Sequence, residues 1–193
     1  MNASLECPEK GSSGELSSRS SMKRNSPHSK ITAAAGFLVW ILLVALDLWS
    51  KSAAEIRLQN GRIPVIPGVL EFYYLQNTGA AFSLLENAQW LFILIAGIVV
   101  LLIGWFLTRV PRSRRYLPLT SSLILISAGA AGNLIDRVRL GYVRDFIYFS
   151  LINFPVFNVA DIYVTVSTVL LVLLILFYYK EEDFSFLNRR TRI

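Results

Sequence analysis

One histidine, one cysteine and few charges mark this chain of 193 residues, of which only 17% are charged. Each scarcity excludes something. The histidine, His28, lies in a polar N-terminal stretch ahead of the first apolar run. A Ser-His pair at a membrane site is therefore excluded, because no imidazole is there to take the hydroxyl proton. A histidine-based zinc site within the spans is excluded too, and no cysteine replaces it. Cys7 sits in the same polar stretch, so no disulfide framework forms within one chain. The residues before it, Ala3-Ser4-Leu5-Glu6, supply no apolar stretch of the kind a lipid-modified N-terminus needs. The shortage of charge excludes an ordinary soluble domain, which carries about 25% charged residues.

What fills the chain instead is apolar. The hydrophobic fraction is 54% and the mean hydropathy is +0.51. Four runs can cross a hydrocarbon core of ~30 Å as helices. They cover about 31–49, 90–108, 116–135 and 159–179. Continuous apolar runs, without period-two alternation, exclude a closed barrel. The expectation is a membrane all-α protein, a four-transmembrane-helix bundle. Residues 1–30 read as a disordered tail rich in Ser, 31–180 as the membrane domain and 181–193 as a C-terminal tail. The long first run, with no small-residue cleavage site after it, is not a cleavable signal peptide.

Basic residues orient the bundle. Lys23, Arg24 and Lys30 precede the first run, and Arg109, Arg112, Arg114 and Arg115 crowd the link between the second and third. Lys180, Arg189, Arg190 and Arg192 follow the fourth. By the positive-inside rule both termini and the middle link are cytoplasmic. The connections at 50–89 and 136–158 then face outward. The net charge of +6 belongs mostly to the inside rim, and no nucleic-acid motif accompanies it.

The first outward connection holds Pro64 and Pro67-Gly68, then the β-forming run Val69-Leu70-Glu71-Phe72-Tyr73-Tyr74-Leu75. One or two strands at the outer interface are expected, a small extracytoplasmic β-structure. Asn77-Thr78-Gly79-Ala80-Ala81-Phe82-Ser83 follows; it reads as a tight turn, with substrate binding as the alternative. The second connection concentrates polar groups: Gly132-Asn133-Leu134-Ile135-Asp136-Arg137, then Val143-Arg144-Asp145-Phe146, then Phe157-Asn158-Val159-Ala160-Asp161.

An aspartate in the centre of a membrane costs about 2.5–3.5 kcal/mol on insertion scales, so boundary carboxylates call for a reason. Several have a structural one. Asp47 and Lys51, four apart, pair on one helix face. Asp136 adjoins Arg137, itself four residues from Asn133, and reads as an ion-pair partner or helix-end group. Asn158 is placed to cap the fourth helix, with Asp161 at its third position where the dipole favours an anion. Asp145 has no helical explanation; a surface ion pair with Arg144 or Arg139 is the plain alternative. The chemical reading is a carboxylate pair, one held protonated and the other ionised, that polarises a carbonyl and activates water without metal or cofactor. A proton-relaying transporter is the rival, but its acids would be spread through the depth of the bundle, whereas the second run has none. A noncatalytic assembly protein using the same groove is the other.

Taken together, Asp47-Leu48-Trp49-Ser50-Lys51, the Asn77–Ser83 stretch, the Gly132–Arg137 stretch, Val143-Arg144-Asp145-Phe146 and Phe157-Asn158-Val159-Ala160-Asp161 resemble the lipoprotein signal peptidases, the bacterial type II signal peptidase family. The resemblance spans roughly 35–180. It implies an aspartyl membrane endopeptidase of the cytoplasmic (inner) membrane, with its site at the outer face. It implies cleavage of prolipoproteins just before a cysteine carrying diacylglycerol, membrane lipids as surroundings and globomycin as inhibitor. It assigns the catalytic pair to Asp145 and Asp161, and places Asp47, Lys51, Asn77, Gly79, Asn133, Asp136, Arg137 and Asn158 at substrate-binding or supporting positions. Two departures from the family are the long N-terminal tail and a short segment between Asp145 and Asp161.

Overall fold

The computed structural model describes residues 27–79 and 89–187. The expected tail up to residue 26, the Ala80-Ala81-Phe82-Ser83 part of the second motif, and Arg189, Arg190 and Arg192 lie outside the described residues. The elements run α1 (Pro27–Arg57), β1 (Ile63–Ile66), β2 (Leu70–Asn77), α2 (Gln89–Arg109), α3 (Leu117–Leu140), β3 (Val143–Tyr148) and α4 (Val159–Leu173). A π-helical turn, Leu174–Tyr178, continues α4. Four helices are long and apolar enough to cross a membrane. Their outward surfaces are apolar, with Phe37, Leu101, Trp105 and Val166 among the exposed side chains. The fold is thus a four-span helical bundle with a small sheet at one end.

The helices α1 and α3 outrun their apolar runs. The first continues eight residues past the expected end at 49, to Arg57, and the third five past 135, to Leu140. The polar residues that end the hydropathy signal, Asp47, Lys51 and Asp136, point into the protein and are 0%, 0% and 1% exposed. They therefore prolong the helix instead of breaking it. Gly141 ends α3 with a left-handed φ of 81° and its N–H on the Arg137 carbonyl.

The bundle centres on α3, which packs against α1, α2 and α4. Small residues allow this. A Cβ on Gly129 would meet the Ala160 carbonyl oxygen at 2.5 Å, and one on Gly132 would collide with the Asp47 carboxylate. Close backbone approach through small residues is a usual route to helix association in membranes. It draws α3 onto the start of α4 and the polar face of α1.

The strands form one antiparallel sheet in the order β1-β2-β3. β2 falls on the expected β-forming stretch, and β1 lies just before it in the same connection, across Pro64. The third, β3, falls in the second connection, where only a polar loop was expected. It pairs Leu75 with Asp145 and Asn77 with Val143. A bulge between Phe72 and Leu75 gives β2 one extra residue there, a device that re-aims side chains beside functional sites. Residues 181–187, expected as tail, form 3-10 turns in which Asp183 takes a bidentate pair from Arg115 at 2.6 and 2.5 Å. Phe184 and Phe186 pack against the cluster of Val110, Leu119, Leu123 and Tyr179.

Candidate active site

Asn158 is the hinge of the site. Its side-chain oxygen accepts the Asp161 N–H at 3.1 Å, and its own N–H donates to Asp161 Oδ2 at 3.0 Å. That reciprocal pair is the capping box of α4, so the helix-capping expectation for Asn158 and Asp161 holds. The cap does not exhaust either residue. The Asn158 amide nitrogen also donates to Asp145 Oδ1 at 2.6 Å and to Asn133 Oδ1 at 3.2 Å. One buried asparagine therefore touches both aspartates, Asp161 on the first turn of α4 and Asp145 on β3.

Each aspartate is held by two neutral N–H donors. Asp145 takes Asn158 and, at 2.8 Å, the Asn77 amide. Asp161 takes the Asn158 backbone and, at 2.8 Å, the Asn133 amide. Asp145 forms no ion pair among the described residues, which removes the surface-pair alternative. Arg144 turns the other way. Its guanidinium binds Asp136 at 2.7 Å, Glu55 at 3.1 Å and Ser52 at 3.0 Å. Asp145 is 1% exposed. Burial pushes its carboxyl up to about 6, aided by the charge of Asp161 and opposed by the Asn77 and Asn158 hydrogen bonds and by Lys51.

A second layer fixes the donors. Lys51 Nζ lies 2.8 Å from Asp47 Oδ2, 2.8 Å from Asn133 Oδ1 and 3.6 Å from Asp136 Oδ2. An ammonium only donates, so it fixes which end of the Asn133 amide faces it and aims the Asn133 NH2 at Asp161. The Asp47–Lys51 pair expected on α1 is present, but wholly buried and joined to the site. Asp47 Oδ1 accepts the Ala160 N–H at 2.9 Å, so a carboxylate from α1 satisfies a free donor at the start of α4. Asp136 is an ion-pair partner as expected, but of Arg144 and Lys51 and not of the adjoining Arg137. Gly79, at φ 92°, gives its N–H to Asn77 Oδ1 at 2.9 Å, which turns the Asn77 amide toward Asp145. Thr78 and Gly79 thus form a turn that also holds a polar group of the site.

Arg137 is the one expected site residue outside this hydrogen-bonded net. Its guanidinium lies over the Phe92 ring, 5.0 Å from the centroid, and its buried Nε has no partner among the described residues. Sequence reasoning missed the roles of Ser52, Glu55 and the Ala160 N–H. Ser52 and Glu55 lie on the polar face of α1 already marked by Asp47 and Lys51, which was the available signal. Among the described residues no three His, Cys, Asp or Glu side chains stand together as a metal site. A cavity of about 360 Å³ opens beside Asn77, lined by Leu75, Gln76, Thr78, Tyr148 and Phe154 among others.

A family model for signal peptidase II matches residues 39–177, well over half the chain. Lipoprotein signal peptidases of Streptococcus pyogenes serotype M5 (strain Manfredo) and serotype M18 (strain MGAS8232) are each 43% identical over 146 residues, covering 75% of this chain and 93% of theirs. A bacterial membrane enzyme solved in meso at 2.3 Å resolution aligns with a TM-score of 0.66 at 28% identity, over 83% of this chain and 94% of that one. A second, at 1.9 Å resolution, gives 0.67 at 28% identity, over 76% and 95%. With four membrane-length helices and a matched region that contains both aspartates, the chain belongs to the signal peptidase II family, the membrane proteases that remove signal peptides.

Proposed function

We propose that this protease cleaves prolipoproteins just before a diacylglyceryl-modified cysteine, using Asp145 and Asp161 as its catalytic pair. The observation that carries the assignment is the Asn158 bridge, which holds a buried carboxyl and a more exposed one against a single residue, with no cation among the described residues bound directly to either. A shared proton between such carboxylates belongs to the pair, and burial biases it toward Asp145. Asp161, the less buried member, then takes a proton from water as the water attacks the scissile carbonyl. Asp145 hydrogen-bonds that carbonyl and assists departure of the amine. Asn133 and Asn158 hold the Asp161 carboxylate, and Lys51 holds Asn133.

The orientation follows the basic residues, with both termini cytoplasmic and the pair at the outer face. The substrate's lipid chains stay in the outer leaflet and its signal helix lies against the spans. Asp47, Asp136, Asp145 and Asp161 all gather at the sheet end of the bundle, and α2 carries no acid. That distribution favours hydrolysis over a proton relay through the bundle. Purified protein in a bilayer should cleave a lipid-modified precursor, leave the unmodified precursor largely intact and stop when globomycin is added. Equal cleavage of both precursors would overturn the substrate assignment.

A further inference from the structure

The segment from Phe146 to Ala160 carries no charged residue. It connects the strand that holds Asp145 to the helix that holds Asp161. Within it, residues 149–157 fold into a short finger. Its base is closed by backbone hydrogen bonds between Ile147 and Phe157, at 2.8 and 3.0 Å. Its waist is an aromatic stack, with the Phe157 ring 5.7 Å from Phe149 and 5.8 Å from Phe154. Ser150–Ile152 make one 3-10 turn, followed by Asn153 in a left-handed conformation. The Asn153 side chain accepts from the Tyr148 hydroxyl at 2.6 Å, and the Phe154 N–H reaches the Phe149 carbonyl at 3.1 Å. The finger is therefore built from the inside.

Its tip is not. Leu151 and Ile152 are each 69% exposed, and Phe149 and Phe154 are exposed beside them. An ordered turn that spends its aromatics on its own frame and displays two aliphatics outward is shaped to meet an apolar surface. The location names that surface. The finger springs from the start of α4, a membrane span whose apolar outer face begins at Ile162. The finger's apolar tip thus lies at the same end as the membrane boundary of the bundle, and its closed backbone hydrogen bonds suit an interfacial depth.

We propose that the 149–157 finger inserts its tip into the lipid interface beside the site and so sets the depth of Asp145 and Asp161 in the membrane. The occupant is lipid, not protein. Asp145 lies four residues before Phe149 and Asp161 four after Phe157, so finger depth is transmitted to both through short, hydrogen-bonded chain. The depth-setting role rests on the catalytic pair proposed above; insertion of the tip does not.

Depth is measured on the full chain in a lipid bilayer, with Cys7→Ser and a nitroxide attached at Ile152→Cys. A control label sits at Glu182→Cys, which is exposed at the opposite end. The tip label should collide readily with oxygen and poorly with a water-soluble nickel chelate, and the control label should do the reverse. A tip label as open to nickel as the control overturns insertion. One shielded from both reagents means that protein covers the tip, and overturns it equally. The double variant Leu151→Ser with Ile152→Ser should slow precursor cleavage at least three-fold in bilayers and less than two-fold in detergent. Equal rates for variant and parent in bilayers, or equal losses in both media, overturn the depth-setting role. The label experiment needs no cleavage, so it separates failure of insertion from failure of the catalytic assignment.

Discussion

Three asparagines and a lysine hold the aspartates in place. Asn77 donates to the Asp145 carboxylate, and that bond holds the carboxyl below where burial alone would put it. Asn77→Ala removes a donor that favours the charged form, so the proton is retained to higher pH. With Asp145 as the proposed proton carrier, burial raises its carboxyl to about 6, and the alkaline limb of kcat/KM that it sets should shift upward in the variant. A pH-rate profile of both enzymes checks this, and a downward shift would contradict it. Lys51 is more structural. Lys51→Met leaves the buried Asp47 carboxylate without its cation, while Asp136 keeps Arg144, and should cost about 3–5 kcal/mol, as loss of one partner of a buried pair does. Thermal unfolding in detergent reads that loss. From sequence, Asp47 and Lys51 were legible as a pair because their spacing is a helix spacing. Their link to Asn133 was not, because it crosses 82 residues of chain and depends on how two helices meet.

The elements carry the site by their ends. Asp161, Asn158 and the Ala160 N–H belong to the first turn of α4, and the cap was readable because capping is local and has a residue signature. Strand β3 was not readable. Its Val143-Arg144-Asp145-Phe146 stretch sets two charges side by side and shows no alternation, and the pairing that makes it a strand is with β2, at least 66 residues away in sequence. The ends of α1 and α3 were misplaced for a related reason. Hydropathy stops at the first charges, yet these charges face inward. At Gly132 the backbone of α3 comes close against the Asp47 side chain of α1. Gly132→Ala drives a methyl group into the Asp47 carboxylate, and overpacking of this kind costs about 1–3 kcal/mol. It should lower both melting temperature and cleavage rate. A variant with parental values for both would show that α1 and α3 are free to part there.

The whole molecule places a polar cluster, with the proposed catalytic pair in it, at one rim of an apolar bundle. Four spans, their order and the family motifs were legible in the sequence because membrane length and apolar continuity are strong signals. The inward-facing network of Asp47, Lys51, Asp136 and Arg144 was only partly legible, since ion pairs that balance one another across helices leave no periodic trace. Orientation can be tested with the chain's only cysteine. Cys7 should react with a membrane-impermeant maleimide in inverted vesicles and stay unreacted in intact cells; labelling in intact cells would reverse the proposed topology. The most direct test of the catalytic pair is the cleavage rate of Asp145→Asn and Asp161→Asn in bilayers against a lipid-modified precursor, with folding confirmed by an unchanged elution volume. Asparagine keeps the shape of each side chain but can neither accept the water's proton nor share one. Both variants should fall by at least a thousand-fold to background, whereas near-parental cleavage by either one would contradict the assignment of Asp145 and Asp161.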